Sequence, residues 1–174
     1  MKKLITLFGL LLITKLSFSQ ISVGVDYIHN NNASRKYSKS LSGFDINLKY
    51  YLTDRFSISS GLVRYNNVKT TQLTYKNWGA DLNGEITVLK REILNLYGIL
   101  GLGFQKVSII PQNTLIDPYN GPDIKSYLFK LNLGIGTQYK IFKNVWVKLD
   151  ILTNSSYEII VNPGLLYRFN LGKK

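Results

Sequence analysis

The stretch that decides the fold is Tyr127–Ile141, YLFKLNLGIGTQYKI. Tyr127, Phe129, Leu131, Leu133, Ile135, Thr137, Tyr139 and Ile141 fall on one side of an extended chain. Lys130, Asn132, Gly134, Gly136, Gln138 and Lys140 fall on the other, which is the period of a strand. A helix would space its apolar residues three and four apart. The pattern predicts a long strand with one apolar and one polar face.

The same period runs outward in both directions. After a turn at Lys143-Asn144, Val145, Val147, Leu149 and Ile151 alternate with Trp146, Lys148 and Asp150. Ile159, Val161, Leu165, Tyr167 and Phe169 then oppose Glu158, Asn162, Gly164 and Arg168. Upstream, Leu94, Leu96, Leu100, Leu102 and Phe104 alternate with Asn95, Tyr97, Gly101, Gly103 and Gln105. Leu82, Ile86 and Val88 oppose Asp81, Asn83, Glu85 and Thr87. Strands also begin at Phe56, cover Phe44–Leu52, and open the series at Ile21–Tyr27. The reading is all-β, with eight antiparallel strands in up-and-down order.

A soluble sandwich or a lipocalin-like barrel alternates in the same way. Three features favour a transmembrane barrel. Several strands exceed the roughly 9–11 residues that a tilted membrane strand needs. Short turns near 53–55, 90–92 and 142–144 alternate with longer segments near 30–41, 66–79 and 107–124. Aromatic residues gather at both strand ends: Tyr50, Phe56, Phe142, Tyr167 and Phe169 by the short turns, and Tyr27, Tyr65, Trp78, Phe104, Tyr127 and Tyr157 by the long segments.

The first 19 residues read as a secretory signal peptide. Lys2 and Lys3 precede an apolar run from Leu4 to Ile13, and Ser17-Phe18-Ser19 places the cut before Gln20. That run is about half of the roughly 20 apolar residues a spanning helix needs. Residues 20–174 then form the barrel domain. The chain carries a formal charge of +12, three of it from Lys2, Lys3 and Lys15 in the leader. A basic exported chain meets anionic lipid or acidic glycan rather than nucleic acid. No Cys occurs, so there is no disulfide framework.

In a membrane barrel the apolar face meets lipid and the polar face fills the lumen. Asp26, Asp45, Lys49, Glu85, Lys130, Lys148, Asp150, Glu158 and Arg168 are therefore expected inside. At eight strands the interior has room only for side chains, and buried charges must pair. A salt-bridged plug is predicted, and no open pore. Arg35, Lys36, Lys39, Arg64, Lys69 and Lys76 lie in or beside the long segments, where they suit contact with anionic lipid.

Catalytic constellations are sparse. His29 is the only histidine, with Asp26 and Ser34, Ser38, Ser40 or Ser156 as conceivable companions. Nothing fixes their geometry, so no enzyme activity is expected. With one His and no Cys, neither a metal site nor a cofactor is expected. The glycines at 98, 101 and 103 do not complete a dinucleotide fingerprint.

Two motifs carry a family likeness. Tyr50-Tyr51-Leu52-Thr53-Asp54-Arg55-Phe56 resembles a short periplasmic hairpin, and Asn162, Gly164, Tyr167 and Phe169 resemble a terminal assembly signal. The chain thus resembles the small outer-membrane β-barrels, the OmpA/OmpX-like and porin-like domains of Gram-negative bacteria. The resemblance implies insertion by the barrel-assembly machinery, contact with lipopolysaccharide and periplasmic termini. It implies a structural or interaction role in the envelope, accessory to a larger complex, with a narrow porin as the alternative and a rim lipid-modifying enzyme behind both. Asn170–Lys174 continues past the final aromatic, which departs from the family pattern. Pro163 cannot donate to a ladder, so a bulge or local break is expected there.

Overall fold

The computed structural model describes residues 20–31, 41–69, 73–111 and 124–170. The leader, Arg35, Lys36, Lys39, Ser34, Ser38, Ser40 and most of the 107–124 segment lie outside the described residues.

The strands are β1 (Gln20–Asn31), β2 (Leu41–Tyr51), β3 (Phe56–Tyr65), β4 (Val68–Lys69), β5 (Leu73–Lys90), β6 (Leu94–Pro111), β7 (Ile124–Lys140), β8 (Val145–Asn154) and β9 (Ile159–Asn170). All pairings are antiparallel. β1 pairs with both β2 and β9, and β3 pairs with β5, so the sheet closes on itself. β4 is a two-residue bridge on β5 and adds no wall. The result is a closed barrel of eight strands.

Closure removes sheet edges, and the alternation then sorts side chains into wall and lumen. The wall is apolar. Phe129 is 81% exposed, Ile135 67% and Leu62 66%, and the pattern repeats around the barrel. The nine charged residues expected in the lumen point inward, all of them buried except the half-buried Arg168. This is the reverse of a water-soluble barrel, and it is the arrangement hydrocarbon selects.

Three expectations are corrected. The lumen face is not uniformly polar: Ile28, Val63, Ile99, Leu152, Ile160 and Leu166 are buried inside. Period two tells which residues share a face, not how a narrow interior is filled. Tyr65 does not join the aromatic girdle, because its register sends it inward, where it is buried. Residues 73–79 and 107–111 are strand rather than loop, so β5 and β6 project past β3.

At Pro163 the expected local break is present without a bulge. The β1–β9 ladder pairs Asp26 with Gly164 and resumes at His29 with Val161, in unchanged register. The β8–β9 ladder runs through the proline without interruption. The connection between β8 and β9 is a tight turn. Asn154 Oδ1 accepts from the amides of Ser156 (2.9 Å) and Glu158 (3.3 Å), and Tyr157 adopts φ 59°.

One glycine is required by close approach. Tyr97 and Gly136 are cross-strand partners, and a Cβ at Gly136 would strike the Tyr97 ring and the Asp150 carboxylate. An aromatic ring laid over a glycine in this way fixes register inside a barrel. Gly136→Val should cost about 1–3 kcal/mol through overpacking, read as a lower urea midpoint for the folded-to-unfolded gel shift. An unchanged midpoint would mean the ring relaxes freely.

Candidate functional site

All nine charged residues expected in the lumen point into it. Seven of them form three ion-paired groups along the axis. Toward the short-turn end, Lys49 pairs with Glu85, whose carboxylate also accepts from Ser57 Oγ at 3.4 Å. The same ammonium lies 4.3 Å from the centre of the Tyr97 ring. In the middle, Lys148 Nζ reaches Asp26 at 2.5 Å and Asp150 at 3.1 Å. Asn47 donates to Asp26 at 2.8 Å, and Tyr97 donates to Asp150 at 2.5 Å. Toward the other end, Lys130 pairs with Glu158 at 2.5 Å, and Asn30 and Asn154 donate to the same carboxylate.

The predicted plug is therefore ion-paired, but incompletely. Asp45 sits directly across the β1–β2 ladder from Asp26 and, among the described residues, forms no ion pair. Arg168 forms none either. Its guanidinium is stacked 4.5 Å from the Tyr51 ring and 4.4 Å from Trp146, and it donates to Tyr51 Oη at 2.7 Å. Sequence reading also missed a lumen carboxylate, Asp81, which accepts from Asn132 at 3.2 Å. The signal was present, since Asp81 shares the face of Asn83 and Glu85. Six carboxylates (Asp26, Asp45, Asp81, Glu85, Asp150 and Glu158) thus face four cations (Lys49, Lys130, Lys148 and Arg168).

The void among Ile28, Val63, Tyr65, Asp81, Lys130 and Leu152 is about 30 Å³. That is the space of roughly one water. Larger cavities of about 280 and 470 Å³ open at the short-turn end.

His29 lies on the wall side of β1, where its Nδ1 is 3.0 Å from Ser42 Oγ. Asp26 lies in the lumen, so the two are not brought together. Of the four terminal-motif residues, Asn162 and Gly164 face inward, while Tyr167 and Phe169 face out in edge-to-face contact at 4.7 Å.

On the outer wall, cross-strand partners form one continuous row. Tyr27 pairs with Phe44, Phe44 with Arg64, Arg64 with Trp78, Trp78 with Lys106, and Lys106 with Tyr127. Lys106 Nζ sits 5.9 Å from the Trp78 ring and 5.7 Å from Tyr127. Rings and cations gathered near the long-segment ends of these strands mark an interface where apolar and charged surroundings meet. Lys69 and Lys76 are exposed beyond this row.

In the turn before β3, Lys90 Nζ lies 2.8 Å from Asp54 and holds its carboxyl below the ordinary 3.8. A depressed carboxylate contributes stability above pH 3.8 that is lost as pH falls through the lowered value. Both partners are exposed, so Lys90→Ala should move unfolding by less than about 0.5 kcal/mol. An NMR titration should find the Asp54 value returned toward 3.8 in that variant.

A closed eight-strand antiparallel barrel, apolar outside and filled with side chains, has the fold of the small outer-membrane β-barrels. No protein-family model and no curated protein matches the chain. Solved structures do. The attachment invasion locus protein Ail of Yersinia pestis, crystallised with the heparin analogue sucrose octasulfate, is 18% identical, with a TM-score of 0.61 over 87% of this chain and 97% of its own. The N-terminal β-barrel domain of Pseudomonas aeruginosa OprF is 18% identical, with a TM-score of 0.60 over 85% and 97%. OprG of the same bacterium is 11% identical, with a TM-score of 0.63 over 88% and 97%.

Proposed function

We propose that this chain is an integral outer-membrane barrel with a sealed lumen, acting as a structural or interaction component of the envelope rather than as a pore or an enzyme. The single observation that carries the reading is the lumen. Paired side chains and an apolar cluster leave a central void of about 30 Å³, too small for a hydrated solute. Short periplasmic turns are the rule for bacterial barrels. By that rule the Thr53, Glu92 and Lys143 turns and both termini face the periplasm, and the wall row faces outward. Arg64 and Lys106 in that row, with Lys76 beyond it, are placed to meet phosphates of lipopolysaccharide. A signal peptide ending at Ser19 delivers the chain, and the terminal motif Asn162, Gly164, Tyr167 and Phe169 presents it to the assembly machinery.

Planar-bilayer recordings test the seal. The expected result is no stable conductance from protein that passes the heat-modifiability gel. Steady, large conductance would favour the porin alternative. Carbonate-washed outer membranes should retain the protein; recovery in the wash would reject the membrane reading.

A further inference from the structure

The two cavities at the short-turn end adjoin each other. The more enclosed one, of about 280 Å³, has Lys49, Tyr51, Asn95, Gln138 and Arg168 among its walls. The more open one, of about 470 Å³, has Arg91, Lys140, Lys143 and Trp146. Gln20, Lys90, Asn95 and Arg168 border both.

Among the described residues, three buried polar atoms without a partner lie there: the donors Arg168 Nε and Gln138 Nε2 and the acceptor Asn95 Oδ1. Arg168 is the lumen cation without a carboxylate among the described residues, and its Nε is buried with no acceptor. Stacking on Tyr51 and Trp146 positions the guanidinium and offsets part of its desolvation, but it supplies no countercharge. Gln138 is only 1% exposed, and its Nε2 also lacks an acceptor. The half-buried guanidinium donates to Tyr51 Oη at 2.7 Å and Gln138 Oε1 at 3.3 Å, but a buried donor left unmade, as at Arg168 Nε and Gln138 Nε2, is costly. The Arg168 and Gln138 demands are donor-side, so one group bearing acceptor oxygens and negative charge would answer those two together.

The surroundings agree in sign. Lys49 is taken by Glu85 and Lys90 by Asp54. What remains at the mouth is Arg91, Lys140, Lys143 and Arg168 against Glu92, an excess of three positive charges. Deeper in the lumen the balance reverses, with six carboxylates against four cations including Arg168 itself. An anion drawn to the mouth would be repelled from going further, which makes this a binding site and not an entrance.

We propose that the short-turn mouth binds a small oxyanion, a phosphate or carboxylate group, seated on the Arg168 guanidinium. Planar guanidinium donors match both groups. The enclosed cavity, at 280 Å³, corresponds to about nine waters, room for a small head group rather than a bare ion.

The chain has two tryptophans, Trp78 on the wall and Trp146 beside Arg168. In a Trp78→Phe background, protein purified from membranes in uncharged detergent reports the mouth through Trp146 fluorescence. Inorganic phosphate and N-acetylalanine are titrated separately at constant ionic strength held with chloride. A saturable change with either supports the site, and the tighter of the two identifies the head group. Arg168→Gln should weaken binding about tenfold or more, as loss of a charge-assisted contact does. The exposed pair Arg91→Ala/Lys143→Ala should weaken it a few-fold without touching the lumen, which keeps the test open if Arg168→Gln does not fold. No saturable response in protein that passes the gel shift would overturn the proposal. So would equal affinity in the folded Arg168→Gln variant.

Discussion

Replacing Lys148 with Met should destabilise the folded barrel by roughly 3–5 kcal/mol, the cost of orphaning a buried ion pair. Among the described residues, Lys148 is the one cation that reaches both Asp26 and Asp150. Asp45 lies opposite Asp26 in the ladder, so its removal leaves three carboxylates near one another without a partner. The second half of the test is a rescue. Lys148→Met combined with Asp26→Asn and Asp150→Asn removes the charges along with the cation, and it should recover most of the loss. Urea unfolding followed by the gel shift measures both. If the single variant unfolds within about 1 kcal/mol of the parent, well below the penalty for an uncompensated buried charge, the ion-pair account of the plug is wrong.

Leu133→Arg should cost about 2–4 kcal/mol in lipid vesicles, whereas Tyr127→Arg on the same strand should cost about 0–1. The contrast follows from depth. Leu133 faces outward with Leu100 as its neighbour, midway in sequence between Tyr127 and Tyr139 on one face of β7. Those two rings lie about 40 Å apart along a strand, or about 30 Å along the axis at a tilt near 40°. That is close to the roughly 30 Å hydrocarbon thickness of a bilayer. Leu133 then sits near the midplane and Tyr127 at the head groups. Equal costs at the two positions would point to a barrel surrounded by something other than a bilayer.

Much of this architecture was legible because period two is a local property. Tyr127–Ile141 specifies its own faces, and the nine lumen charges followed from the same parity. What was not legible depends on partners distant in sequence. Nothing near Lys148 says that its carboxylate is Asp26, because β1 meets β8 only through the lumen. Arg168 looked like one more pairing charge until the closed barrel put Tyr51 and Trp146 on its faces. Tyr65 was read as girdle from its height alone, and register overruled that. The strand content of residues 73–79 was hidden by Lys76, Asn77 and Gly79, residues that also suit a loop. The wall row was beyond sequence reading, since it needs five ladders in register.

The interruption at Pro163 falls where the two ends of the described chain meet. β1 and β9 share ten paired positions, against seventeen between β5 and β6. Their partners are also the farthest apart in sequence, so this ladder carries the largest loop-closure cost, and its rungs are broken at the proline. A cylinder rolled from a ribbon opens at its seam, and here the seam has a missing stitch. Amide protons of β1 and β9 should therefore be the first in the barrel to exchange with solvent deuterium, spreading from Tyr27 and Ile28 opposite the proline, while those of β5 and β6 are the last.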